Sequence, residues 1–173
     1  MLENIDLVKL IRDSAQNSFS ELRKSNPTDE FCAFGLYSDE GAMTVCPSAN
    51  TKEYLKEKCE KDPDDPLYYK WSPAEWKYEF SGHEWFNDVQ QVIEQFHKSP
   101  HTDEQFTHFQ GYLYDSCILA LEQLRSDGFF QKCIVVFSVT DYLDDEKEIS
   151  WIYRLNDPKE ASEFENWVKD QED

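Results

Sequence analysis

The chain has 173 residues, with 36 Asp and Glu against 17 Lys and Arg, a formal net charge of −19. That balance argues against DNA, RNA and anionic membranes as partners and favours basic ones. Five Trp, nine Tyr and twelve Phe exclude a disordered acidic tail, so the expectation is a folded domain with a strongly negative surface.

Residues 3–24 read as an amphipathic helix, with Ile5, Val8, Ile11, Ala15, Phe19 and Leu22 at spacings of three and four. Asn26-Pro27 ends it. Residues 31–37 and 42–46 read as an antiparallel hairpin about the turn Ser38-Asp39-Glu40-Gly41, with Pro47 limiting the second strand. Asn50 and Glu53 resemble a capping box that opens a helix over 51–60. Asp62 to Pro66 is a surface connection, and 67–71 reads as a short strand. Ser72-Pro73-Ala74-Glu75 signals a further, short helix. Residues 76–80 alternate aromatic and charged side chains as an edge strand does.

A helix is expected over 84–97, broken at Ser99-Pro100, then a long one from Thr102, capped with Gln105, to Arg125. Gly111 interrupts it and suggests close approach of another element. Residues 133–139 are the most apolar strand and are expected to be central, covered on both faces. Residues 149–153 read as either strand or helix. Asp157-Pro158 opens a terminal helix carrying Ala161, Phe164, Trp167 and Val168.

Helices and strands are segregated, which predicts an α+β fold: a small, mainly antiparallel sheet with 133–139 at its centre, packed against several helices. At this length the expectation is one domain over 1–173, burying roughly 70% of its unfolded surface without a disulfide or metal staple. Cys32, Cys46, Cys59, Cys117 and Cys133 form no CxxC pair. They read as free thiols in a reducing cytoplasm, with a Cys32–Cys46 bridge across the hairpin as the alternative. The opening MLENIDLVKL lacks signal-peptide character, and no apolar run is long enough to span a bilayer.

Few constellations point to chemistry. His97, His101, Glu104 and His108 contain metal-ligand types but match no zinc spacing. Gly82-His83-Glu84 reads as a helix start before an acid–base pair, and Cys46 lacks a nearby base. Arg occurs only at 12, 23, 125 and 154, too few for a dedicated phosphate clamp. Asp141 and Asp144, following the apolar strand, are the candidate cation ligands. Tyr68, Tyr69, Trp71, Trp76, Tyr78 and Trp85 form the densest aromatic region, read either as core or as a binding surface.

The segments FCAFGLYSDEGAMTVCPSANTKE (31–53) and KWSPAEWKYE (70–79) resemble an uncharacterised bacterial family, a conserved domain of unknown function about as long as this chain. The resemblance lies in Cys46, Pro47, Asn50, Thr51, Glu53, Trp71, Ser72, Pro73, Glu75, Trp76 and Asp141. It brings no catalytic residue, and it implies a link to acidic immunity proteins of toxin systems. The leading expectation is a cytoplasmic, non-enzymatic binding protein for a basic protein, of the kind that inhibits a basic toxin. It would need no cofactor and would be a monomer or small homo-oligomer. A cation-dependent hydrolase using the 141–146 carboxylates, or a structural or regulatory scaffold, are the alternatives. Residues 141–173 hold 12 acidic and 4 basic residues, which makes that third the place to look for a functional face.

Overall fold

A computed structural model describes residues 6–142 and 144–171. Seven α-helices and three strands occur among them: α1 (Leu7–Ser25), β1 (Phe31–Asp39), β2 (Cys46–Thr51), α2 (Lys52–Lys61), α3 (Pro66–Trp71), α4 (Asn87–Lys98), α5 (Asp103–Ser126), β3 (Ile134–Thr140), α6 (Asp145–Leu155) and α7 (Pro158–Gln171). The fold is α+β, a small sheet packed between helices. Two short 3-10 turns, Pro73–Glu75 and His83–Phe86, precede α4. The expected helical start at residues 3–5 lies outside the described residues. The first helix is capped at Asp6, whose Oδ1 accepts the Lys9 N–H at 2.9 Å.

The sheet order is β2-β1-β3. β1 runs antiparallel to β2 and parallel to β3, so the sheet is mixed, and β1 is the central strand rather than 133–139. The apolar run was misleading because β3 is covered on both faces although it lies at an edge. Its open edge is closed by α6. Asn156 accepts the Val135 N–H at 2.8 Å and donates to the Val135 carbonyl at 2.7 Å, as a neighbouring strand would. Glu148 Oε1 accepts the Val139 N–H at 3.1 Å. Four strand residues rise about 13 Å and eight helical residues about 12 Å, so the two contact points stay in step.

The other strand is displaced from its expected place. Residues 42–45 form a loop held by Asp39, whose carboxylate accepts from Met43 N and Thr44 Oγ1. The strand is instead Cys46–Thr51, entirely buried although half its side chains are polar. Pro47 is tolerated because β2 lies at an edge. The helix cap moves with it, to Thr51 Oγ1, which accepts from Tyr54 N. Asn50 stays in the strand, its Oδ1 accepting the N–H groups of Thr51 and Lys77. Cys46 pairs with Tyr37, five residues along β1 from Cys32, and all five cysteines are free.

Residues 67–71 are helical, not extended. Asp65 accepts the Tyr68 N–H at 3.1 Å and Pro66 takes the first helical position. Residues 76–80 form turns, yet Tyr78 exchanges two backbone hydrogen bonds with Ala49 and so closes the outer edge of β2. Ser48 Oγ donates to the Pro73 carbonyl at 2.7 Å. The two sequence blocks that carry the family resemblance therefore clasp each other, and their buried polar groups serve architecture.

One face of the sheet, through Phe34, Leu36, Val135, Phe137 and Val139, packs on α1, α4 and α5. The other, through Ala33 and Val136, takes Trp71, Trp76, Ile152, Ala161 and Phe164. Small residues on β1 make room for the indoles. A Cβ on Gly35 would stand 3.0 Å from Trp76 Cζ3 and 3.0 Å from the Val136 carbonyl. Gly35→Ala is expected to lower stability by about 1–3 kcal/mol, read as a shift in the urea midpoint without a change in slope. Gly111, by contrast, has nothing within 4 Å of its would-be Cβ, so it admits no close neighbour.

Candidate binding cleft

On the α3–α7 side, the sheet is covered at one end and open at the other. Helix α7 is moored to α3: Lys70 pairs with Glu160 at 2.6 Å and with Glu163, and Trp167 Nε1 donates to Asp65 at 3.0 Å. Beyond these moorings, at the carboxyl ends of β1 and β3, lies a cleft of about 630 Å³. Its floor includes Tyr37 and Ser138, the next outward-facing positions after Gly35 and Val136. Tyr68, Trp71, Phe164 and Trp167 also line it, Trp71 packing edge-on against Phe164 with ring centroids 5.2 Å apart.

Acidic groups close one end. Asp141 follows β3 directly, in a left-handed conformation with φ 61°. Asp145 begins α6 and Glu148 stands one turn on. Burial pushes the Glu148 carboxyl up to about 7, and the neighbouring charges of Asp145 and Asp144 add to it. The Val139 N–H acts in the opposite direction. Among the described residues no Lys, Arg or His lines the cleft, although Lys70 Nζ stands 5.0 Å from the ring centroid of Trp71. An enclosure of carboxylates and aromatic rings without a compensating base favours an organic cation.

The two candidate cation ligands separate. Asp141 faces the cleft, whereas Asp144 caps α6, its Oδ1 accepting the Lys147 N–H at 3.0 Å. Among the described residues no group of three or more His, Cys, Asp or Glu is placed to hold a metal ion. His97 and His101 do approach across the α4–α5 corner, with ring centroids 5.9 Å apart. They are engaged there by Phe96, Phe106 and the Ala42 carbonyl.

The six aromatic candidates divide as well. Trp71 and Trp76 are core residues, each 2% exposed. Tyr68, 41% exposed, and Trp71 share the cleft wall. Tyr69 packs edge-on against Tyr68 and bonds Asp62, and Tyr78 bonds Asp29. Trp85, 42% exposed, donates to Glu21 of α1, away from the others. The Trp71 indole N–H is buried without an acceptor.

Tyr37, Glu148 and Trp167 were not anticipated. Glu148 carried a readable signal. With Trp151, Ile152 and Leu155 it lies on the inward stripe of α6, at spacings of three, four and seven. A carboxylate on such a stripe is either buried or at a site.

A second depression of about 520 Å³ is lined by Arg12, Arg125 and Arg154. Their donors are taken internally. Arg12 pairs with Asp127 at 2.8 Å, Arg154 grips Glu122 through two bonds of 2.8 Å, and Arg125 serves backbone carbonyls. No helix among the described residues is long and apolar enough to cross a membrane.

Residues 11–157 match the family described as Domain of unknown function (DUF4303). The match ends immediately before α7, so the helix that forms one wall of the cleft lies outside the matched span. No curated protein and no solved structure matches the chain.

Proposed function

We propose, for a chain that belongs to the DUF4303 family, that it is a cytoplasmic, non-enzymatic binding protein that docks a basic protein at this cleft. The observation that carries the reading is the cleft's lining: Asp141, Asp145 and Glu148 together with aromatic side chains, and no Lys, Arg or His among the described residues that line it. The net charge of −19 supports it, because a cationic partner is steered by such a field while nucleic acid is repelled. The exposed ring of Tyr68 beside buried Trp71 supplies the apolar contact that affinity requires. Occluding a basic toxin is the role in which this docking would act directly.

The test is capture from the native cell by the tagged full chain, beside the double variant Asp141→Asn/Asp145→Asn. A basic protein retained by the first and lost by the second is expected. Its association rate should fall steeply as salt rises from about 0.05 to 0.5 M. Identical retained sets for both chains, or a rate flat in salt, would count decisively against this function.

A further inference from the structure

We propose that α7 is a hinged strap that opens as a unit about the Asn156–Asp157 junction, uncovering the apolar sheet face behind the cleft while the rest of the fold stays closed. The opening stands without the docking function proposed above; only the identity of what enters, a basic protein, rests on it.

The junction has an anchored side and a mobile side. Asn156 is fixed to the strand edge through both the N–H and the carbonyl of Val135, so the base of the strap does not travel with the helix. Its own backbone is extended, with φ −130° and ψ 169°. Asp157 precedes a proline, which disfavours helical backbone at that position. Its Oδ1 accepts the N–H groups of Lys159 and Glu160, so the cap moves with α7. Rotation therefore falls on the bonds between one anchored residue and one capping residue. The family match stops at residue 157, at this same junction.

The grip on α7 is light. Of its fourteen residues only Ala161 and Phe164 are buried, whereas α5 buries nine of twenty-four. Phe164 is the anchor, packed on Trp71. The other holds are polar: Lys70 to Glu160 and Glu163, Trp167 Nε1 to Asp65, and Tyr153 to Glu165. Each is a small net gain, because water takes the place of a lost partner at a partly exposed site. A segment with few buried apolar groups opens at a fraction of the global free energy. Phe164, Trp167, Val168 and Gln171 are the share of the cleft lining that α7 supplies. Swinging them away turns the cleft into an open face of Val136, Trp71 and Ile152, wide enough for a polypeptide segment.

Native-state amide exchange of the full chain, followed at residues 162–169 and along β1 in increasing urea, tests the strap. The α7 amides should share one opening constant, at least about a hundredfold above that of β1, with a urea slope well below the global one. Lys70→Met should raise that constant about tenfold and Trp167→Phe about threefold. Ile118 packs in the cluster on the opposite face of the sheet and stays packed when the strap opens. Ile118→Val should therefore speed β1 exchange about fivefold and leave α7 unchanged. Exchange of α7 with the constant and slope of β1 would overturn the proposal. So would opening constants graded along the helix, which mean fraying, a response of α7 to Ile118→Val, or indifference to Lys70→Met. An opening strap with no captured protein leaves this device standing and removes the docking function. A captured partner with α7 exchanging only by global unfolding does the reverse.

Discussion

At pH 8, Glu148→Gln is expected to be more stable than the native chain by about 1–3 kcal/mol, and at pH 4 the two should match within about 0.5 kcal/mol. The native carboxyl titrates at about 7 against an ordinary 4.5, chiefly because it is buried and secondarily because Asp145 and Asp144 stand near it. The folded chain therefore holds this proton more tightly than the unfolded chain does. The stability contributed by protonated Glu148 is fully present below about pH 4.5 and is lost as pH rises through 7. The full span corresponds to roughly 3 kcal/mol. Glutamine keeps a carbonyl oxygen for the Val139 N–H and never carries the charge, so it avoids the loss. For a chain of this size that is about 3–8 °C in melting temperature at pH 8.

The difference between variant and native isolates this one group. Asp29, Glu57 and Glu165 have pKa values lowered by lysine partners, Asp29 and Glu165 also by tyrosine hydroxyls, so they titrate with the opposite sign in both proteins. Urea unfolding at the two pH values measures it, and a difference that does not change with pH would refute the assignment.

Local signals in the sequence were reliable where the chain decides its own conformation. Thr102 and Gln105 form both halves of the anticipated capping box, and Asp157 caps α7 as its Asp-Pro pair implies. The same Asp-Pro signal stood at Asp65-Pro66, where aromatic content suggested a strand, and the cap prevailed. What local patterns do not carry is pairing. β3 joins β1 through Ala33 and Ile134, about a hundred residues apart, and nothing in either segment fixes its direction. β2 was missed because CPSANT reads as a loop. It is a strand only because residues 72–78 satisfy its polar groups from outside.

Half the cleft was legible for the same reason. Asp141, Tyr68 and Trp71 were marked by residue type, but Asp144 was marked on charge alone and serves as a helix cap. Trp167 reaches the cleft from a helix that reads as an ordinary terminal amphipath. Its indole leans on Asp65, 102 residues away in sequence, a contact that periodicity cannot register.

Arg125→Ala is expected to cost about 3–5 kcal/mol. Arg125 ends α5 and is the knot between three elements. Its Nε donates to the Leu155 carbonyl at 2.9 Å and its Nη2 to the Cys133 carbonyl at 2.7 Å; Nη1 reaches Gln131 and Nη2 also reaches Asn156 Oδ1. Removing the guanidinium strands several partly buried acceptors at once. Arg125→Lys should recover less than half the loss, because a single ammonium cannot span the fork. Asn156→Ala should be nearly as damaging, since Asn156 meets both the N–H and the carbonyl of Val135. The double variant should fall short of the sum, which a double-mutant cycle in urea would reveal. The consequence reaches the cleft. Asn156 and Glu148 hold the same strand edge two turns apart on the same helix, so freeing one end of α6 loosens the other. Water then reaches Glu148, and its carboxyl should titrate closer to the ordinary value in Arg125→Lys than in the native chain. Carbon-13 shifts of the Glu148 side chain measure that directly. An unchanged titration with a large loss of stability would mean that the knot and the cleft are independent.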